Sequence, residues 1–247
     1  MARTAPQADR PAFYALDSGG WRDLVTLLHP PYTAWHLSYV AIGAAMAPVL
    51  HPTRLVAALV AFFLAVGVAA HALDELRGRP LRTQLADRAL VALAVFGLGA
   101  AAAIGIYASA TVSLTLLPFT AAGVFLVLAY DLEWFGGRFH TDFWFAAAWG
   151  GFPAATGFWV NALTLRPAGV LAVAACFALS VAQRRLSSPV RELRRRTVSV
   201  TGEQRLRDGR VIALDTRALA APLDGALRAC ALAVTLLAIA LVVLRLH

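Results

Sequence analysis

The sequence has little of what a soluble protein needs. Charged residues make up 15% of the 247 residues, whereas an ordinary soluble domain has about 25%. Lysine is absent, so arginine supplies all 22 basic side chains. The two cysteines, Cys176 and Cys230, both lie in apolar runs and provide neither a metal signature nor evidence about redox compartment. The low charge excludes an ordinary soluble domain.

Three further patterns are missing. The first thirty residues are polar and lack the apolar stretch and cleavage pattern of a secretory signal. The apolar runs lack period-two alternation, which makes membrane β-strands unlikely as their structure. The chain also lacks a short repeat and a soluble domain of any size. What remains is a set of continuous apolar runs rich in Ala and Leu, which is typical of helices.

Apolar runs therefore dominate the chain, with 60% hydrophobic residues and a mean hydropathy of +0.67. Seven of them are about 18–22 residues long, enough for membrane helices at about 1.5 Å rise per residue. The expected spans are 32–50, 54–73, 89–109, 112–130, 141–160, 164–183 and 224–246. The sequence thus predicts a single all-α domain over residues 1–247, a polytopic membrane helix bundle.

The arginines are distributed unevenly between the two sides of this predicted bundle. Nineteen fall on the side that includes the arm 1–30 and the basic loop 184–217, and three on the other. Because cytoplasmic loops are rich in Lys and Arg, the N-terminus is expected in the cytoplasm and the C-terminus outside. The net charge of +8 fits this bias and does not require nucleic acid as a partner. A bacterial cytoplasmic membrane is the expected location.

The basic loop has its own local signals. Asp208-Gly209 separates two alternating apolar runs, which predicts a β-hairpin. Asp215 or Thr216 then stands where a helix cap is expected, just before the last span.

Histidines and acids collect on the cytoplasmic side of the prediction. His71, Asp74 and Glu75 follow one apolar run, and their spacing places His71 on one helix face with either acid. Histidine with carboxylate suits iron, manganese or zinc, whereas carboxylates alone suit magnesium bridging a phosphate. The candidate metal ligands are His36, His71, Glu75, Glu133, His140 and Asp142. Interfacial salt bridges and structural His–acid pairs are the alternative explanation for these residues.

Four stretches in order resemble the UbiA superfamily of intramembrane prenyltransferases. They cover about residues 25–205 and read LLHPPYTAWHLSYVAIGAAMAP, AHALDELRGRPLRTQLADRAL, YDLEWFGGRFHTDFWFAAAWGGFPAATGF and RELRRRTVSVTGE. The second stretch stands where the family has its first aspartate-rich motif. The fourth resembles the end of the family's second acidic motif.

The chain departs from the family in both acidic motifs. In the first, His71 stands at the family's Asn, Ala72 at its first Asp and Glu75 at its second. In the second, the acids would fall near Leu186 and Val190, which cannot bind metal. The family also has about nine spans, whereas seven are expected here. The resemblance therefore implies the scaffold more strongly than the chemistry.

The resemblance implies a metal-dependent transferase acting on an isoprenoid or other long-chain lipid at the cytoplasmic face. Glu75, Asp74 and Asp142 would then be catalytic and hold magnesium, while Arg79 and Arg82 would bind the phosphate. The first alternative is an iron, manganese or zinc metalloenzyme that modifies a lipid through the His/carboxylate set. The second alternative is a lipid-binding membrane protein without catalysis.

Overall fold

The computed structural model describes residues 10–247 as a bundle of helices with one small β-hairpin. The helices are α1 Trp21–Leu27, α2 Pro30–Ala45, α3 Pro52–Leu76, α4 Asp87–Thr111, α5 Leu114–Asp131, α6 Trp134–Gly137, α7 at 142–162, α8 Pro167–Arg195 and α9 Thr216–Leu246. The strands are β1 Gly202–Arg205 and β2 Val211–Leu214, which pair antiparallel between α8 and α9.

Five helices in the described part of the chain are long and apolar enough to cross a membrane, namely α3, α4, α5, α8 and α9. They bear out the prediction of an all-α membrane helix bundle. Helices α8 and α9 extend beyond the predicted spans 164–183 and 224–246. Apart from the stretch 187–190, which includes Pro189, the Arg-rich end of α8 consists of good helix formers, and the helix continues to Arg195 where the sequence predicted a loop.

Helices α2 and α7 lie at the centre of the bundle and cross in close contact. A Cβ atom on Gly43 would overlap the carbonyl oxygen of Ala154, and a Cβ atom on Gly157 would overlap that of Val40. Small residues permit this backbone approach, as they do generally between membrane helices. Helix α9 packs against α2 as well.

Two helices contain a widened, π-helical stretch near the same end of the bundle. In α3 it covers Phe63–Ala70, and in α7 it covers Ala147–Gly151. Such stretches change the direction of backbone groups and occur often at functional sites. Here the backbone carbonyls of Gly67 and Trp149 each receive a hydrogen bond from a histidine.

The segment between α8 and α9 confirms the two local predictions made for it. The strands pair with Arg205 opposite Val211, around the Asp208-Gly209 turn, where Gly209 has a φ of +87° that favours glycine. Asp215 caps α9 by accepting a hydrogen bond from the backbone N–H of Ala218 at 2.7 Å.

Candidate functional site

A polar cavity of about 480 Å³ lies where α2, α3, α5, α7, α8 and α9 meet. Residues Pro11–Tyr14 of the N-terminal arm form part of its wall. Its charged and imidazole side chains are His29, His36, His71, Asp74, Asp131, His140, Arg184, Arg191, Glu192, Arg195, Arg196 and Asp224. We call this the polar cavity.

Three of its histidines are held by the same kind of hydrogen bond. In His36, Nδ1 lies 2.8 Å from the carbonyl oxygen of Trp149. In His71 it lies 3.2 Å from the carbonyl oxygen of Gly67, and in His140 it lies 3.0 Å from that of Tyr130. A carbonyl oxygen only accepts, so each Nδ1 carries a proton and donates it. In the neutral ring, each Nε2 is therefore the unprotonated nitrogen and is able to accept a proton or a metal ion.

His29 lies beside this group, directly before α2. Its ring stacks on that of His71 with centroids 3.9 Å apart, and its Nε2 is buried without a hydrogen-bond partner in the described structure. Burial, reinforced by the neighbouring His71, lowers the pKa of His29 well below its usual value near 6.5. His29 is therefore neutral at neutral pH.

Two carboxylates face the cavity from neighbouring helix ends. Asp74 lies in the last turns of α3 and Asp131 at the end of α5, close enough for their charges to interact. The Asp131 Oδ2 atom is buried and has no hydrogen-bond partner within residues 10–247. An unpaired buried carboxylate oxygen is costly unless a cation or a donor completes it. The Oδ2 atom of Asp131 is therefore available to a donor or a cation.

Arginines on one face of α8 line another part of the polar cavity. Arg184, Arg191 and Arg195 follow at intervals of seven and four residues, which places them on the same side of the helix. Arg184 donates to Asp142 at 2.7 Å, whereas Arg191 donates only to the hydroxyl of Ser188, at 3.3 Å. The Nε atom of Arg195 is buried without a partner among the described residues. This wall is suited to an anion.

Glu75, predicted as both catalytic and metal-binding, is fully buried and faces away from the cavity lining. Its carboxylate accepts hydrogen bonds from the backbone N–H of Leu81 at 2.9 Å and of Thr83 at 2.8 Å, and from the Thr83 hydroxyl at 2.8 Å. Glu75 thereby fixes the loop after α3 to the end of that helix.

The other predicted residues are divided between the cavity and its surroundings. His36, His71, His140 and Asp74 line the cavity. Glu133 pairs with Arg77 at 3.0 Å, and Asp142 pairs with Arg184, both with largely accessible carboxylates. Arg79 pairs with Asp87 and donates to the Leu85 carbonyl, and Arg82 is exposed on the same loop. The structure brings together the histidines but not the predicted glutamates and Asp142.

Metal coordination by protein side chains alone is not apparent in the described residues. No group of three His, Cys, Asp or Glu side chains between residues 10 and 247 lies close enough together to hold a metal ion. A magnesium site with fewer protein ligands is commonly completed by substrate phosphates and water.

A second cavity of about 420 Å³ adjoins the first and is almost entirely apolar. It lies between α3, α4, α5 and α7, and its wall includes Ala101, Gly105 and Phe152. Val66 and Trp149 line both cavities. We call it the apolar cavity. The polar cavity and the apolar cavity meet at Val66 and Trp149.

Sequence reasoning missed two parts of this site. Asp131 was not selected as a ligand because it occurs at the end of an apolar run, next to Glu133, and the charge pattern does not say which of the two points inward. The segment Pro11–Tyr14 belongs to an arm that is polar overall, although its adjacent aromatic residues, Phe13 and Tyr14, are a signal for packing. The ring of Tyr14 packs against those of Tyr32 and His29, with centroids 5.5 Å and 5.3 Å away.

No protein-family model, no curated protein and no solved structure matches the chain.

Proposed function

We propose that the protein is a UbiA-like intramembrane transferase that acts on an isoprenoid or other long-chain lipid bearing a diphosphate. The observation that carries this proposal is the pair of adjoining cavities, one polar and one apolar, that share Val66 and Trp149. An amphiphile with an anionic head and an apolar chain matches this division. The proposal includes seven spans, with α2 and α7 added to the five long helices and the polar cavity facing the cytoplasm.

The arginines of α8 would hold the head group. Arg191 and Arg195 line the cavity without a carboxylate within 4.0 Å in the described structure. A planar guanidinium binds phosphate oxygens through two parallel hydrogen bonds. Arg184 differs because Asp142 already neutralises it.

A bound diphosphate also requires a divalent cation, and Asp74 and Asp131 would hold this cation. Magnesium is usually held by one or two carboxylates together with substrate phosphates, and the unpaired Oδ2 of Asp131 offers such a ligand. When bound, magnesium would neutralise charge on the leaving pyrophosphate. Under this proposal Asp131 would hold the magnesium with Asp74, in place of Glu75 and Asp142.

The apolar cavity would hold the lipid chain. Each buried CH₂ group contributes about 0.8 kcal/mol, so an isoprenoid chain in this cavity contributes strongly to binding. Val66 and Trp149, which line both cavities, would lie where the chain joins the head group.

His36 is the candidate base because its Nδ1 donates to Trp149, the residue at the boundary of the two cavities. In the proposed reaction the bond between C1 of the lipid chain and the diphosphate oxygen breaks, and both electrons of that bond leave with the pyrophosphate. A new bond forms between C1 and the acceptor, whose proton moves to Nε2 of His36. The Nδ1 hydrogen bond fixes the ring in the tautomer that accepts this proton.

The direct test uses radiolabelled geranylgeranyl diphosphate, magnesium and membranes as the source of acceptor. The wild type is expected to form labelled lipid and release pyrophosphate, and Asp131→Asn and Arg191→Gln are expected to lose at least tenfold in rate, since each removes a charge-stabilising contact. Glu133→Gln, whose partner lies outside the cavity, is the matched control. A wild type that never consumes the diphosphate excludes the transferase, and binding without turnover favours a lipid-binding protein.

A second candidate is an iron, manganese or zinc metalloenzyme that modifies a lipid. It is favoured by the Nδ1 hydrogen bonds of His36, His71 and His140, since metal-binding histidines usually donate their other ring nitrogen to a carbonyl or carboxylate. Metal analysis of protein purified without chelator tests it. His71→Ala and His140→Ala are expected to lose both metal and activity under this proposal, whereas both retain prenyl transfer if the histidines do not bind metal.

A further inference from the structure

A third concave surface, separate from both cavities, lies between the end of α8 and the start of α9. It has a volume of about 290 Å³, and we call it the α8–α9 groove. The residues used below are Arg194, Arg217, Ala221, Asp224, Gly225 and Arg228. Only Asp224 also lines the polar cavity.

The groove carries an excess of positive charge. Arg194 is paired with Asp224 at 2.5 Å, and both side chains are almost fully buried. Arg217 and Arg228 have no carboxylate within 4.0 Å in the part of the chain that the structure describes. Arg228 is positioned by the ring of Phe13, whose centroid lies 4.9 Å from its guanidinium carbon. Two exposed arginines thus remain available to an anion.

The spacing along α9 explains why the groove exists. Arg217, Ala221, Gly225 and Arg228 follow one another at intervals of four, four and three residues and share one helix face. A Cβ atom on Gly225 would meet nothing within 4 Å. Two arginines therefore flank an open gap that small residues leave between them.

The same helix face continues as an exposed apolar stripe. Leu232, Leu236, Ile239 and Val243 extend it, and each is about half exposed. From Arg228 to Ile239 the helix rises about 16 Å at 1.5 Å per residue, which is about half of the 30 Å hydrocarbon core of a bilayer. The face is therefore basic at one end and apolar over the depth of one leaflet.

We propose that the α8–α9 groove binds the head-group phosphate of an anionic membrane phospholipid, with an acyl chain along the stripe from Leu232 to Val243. Arg217 and Arg228 donate to the phosphate, since basic pockets between membrane helices recognise anionic head groups in this way. The stripe distinguishes a lipid from free phosphate, because only a lipid also covers the apolar surface. This proposal does not depend on the proposed transferase.

Native mass spectrometry of delipidated protein tests it, with phosphatidylglycerol and phosphatidylcholine of identical acyl chains. The wild type is expected to bind phosphatidylglycerol about tenfold more tightly, as two basic side chains near an anionic head group allow. The double variant Arg217→Gln/Arg228→Gln is expected to lose this preference. The double variant Arg217→Lys/Arg228→Lys keeps the charge, and is expected to keep most of the preference and to report on folding.

The matched control removes two arginines from the neighbouring hairpin, as Arg205→Gln/Arg207→Gln, and is expected to bind like the wild type. Three results would overturn the proposal. The first is undiminished phosphatidylglycerol binding by the double glutamine variant, and the second is an equal loss in the hairpin control. The third is displacement of the lipid by excess inorganic phosphate, which would make the groove a site for free anions.

Discussion

Replacing Glu75 by glutamine tests the role that the structure gives this residue. Its two carboxylate oxygens accept three hydrogen bonds from Leu81 and Thr83, and the side chain has no exposed surface. A glutamine amide keeps one oxygen, which is best placed toward the two donors of Thr83. Its NH₂ group then faces the backbone N–H of Leu81, a donor against a donor.

The expected loss of stability follows from the hydrogen bond that Glu75→Gln removes. A hydrogen bond to a charged group contributes about 1.5–3 kcal/mol. For a protein of this size each kcal/mol corresponds to about 2–4 °C, so the melting temperature is expected to fall by about 3–12 °C. Thermal unfolding of purified protein in detergent measures it. Thr83→Val, which removes only the hydroxyl donor, is expected to cause a smaller fall.

Glu133→Gln provides the matched control, because Glu133 makes one half-exposed ion pair with Arg77. Such pairs contribute about 0–1 kcal/mol. Glu75→Gln is therefore expected to melt below Glu133→Gln in the same buffer. If Glu75→Gln melts with the wild type, Glu75 does not fix the loop, and its assignment as a structural residue is refuted.

Three further predictions concern other parts of the molecule. Because the folded-state pKa of His29 is lowered, the unfolded chain binds a proton that the folded chain excludes, and stability is expected to fall as the pH falls below about 6.5. Thermal melts across that pH should show a melting temperature that decreases with falling pH, and His29→Gln should reduce this dependence. An unchanged dependence in His29→Gln would contradict the prediction. Asp224→Ala leaves the buried charge of Arg194 unpaired and is expected to lower the free energy of unfolding by about 3–5 kcal/mol. The loss should be smaller when Arg194 is replaced by Met as well. Equal losses in the single and double variants would count against the importance of the ion pair. Gly157→Ala is expected to separate α2 from α7 and lower the melting temperature by several degrees, whereas Gly99→Ala, which meets open space, should not; similar melts for the two would show that the close crossing is unimportant.

The sequence was sufficient for the features that depend on composition and local signals. Continuous apolar runs predict membrane helices, and Asp208-Gly209 and Asp215 predict a turn and a cap, all from neighbouring residues. The basic segment after Arg184 was predicted as a loop because charge alone was considered. In the structure it remains helical to Arg195, and Arg184, Arg191 and Arg195 line the polar cavity.

The site was harder to predict because it depends on which way each acid points. Asp131 and Glu133 are two residues apart, yet one lies in the polar cavity and the other pairs with Arg77 outside it. The turn after α5 decides this, with Glu133 in a left-handed conformation at φ 51°. Likewise Asp74 and Glu75 are adjacent but face different surroundings, because adjacent helix residues are about 100° apart.

We propose above that one ligand occupies both cavities, with its head group among the arginines and its chain beyond Val66 and Trp149. Equilibrium binding of prenyl diphosphates of increasing chain length to the wild type and to Arg191→Gln tests it most directly. Affinity is expected to rise with each isoprene unit until the apolar cavity is filled, since buried CH₂ groups contribute about 0.8 kcal/mol each. Arg191→Gln is expected to weaken every chain length by a similar factor, about tenfold or more for a lost charge-assisted contact. Affinity that is independent of chain length, or unchanged in Arg191→Gln, would contradict the account.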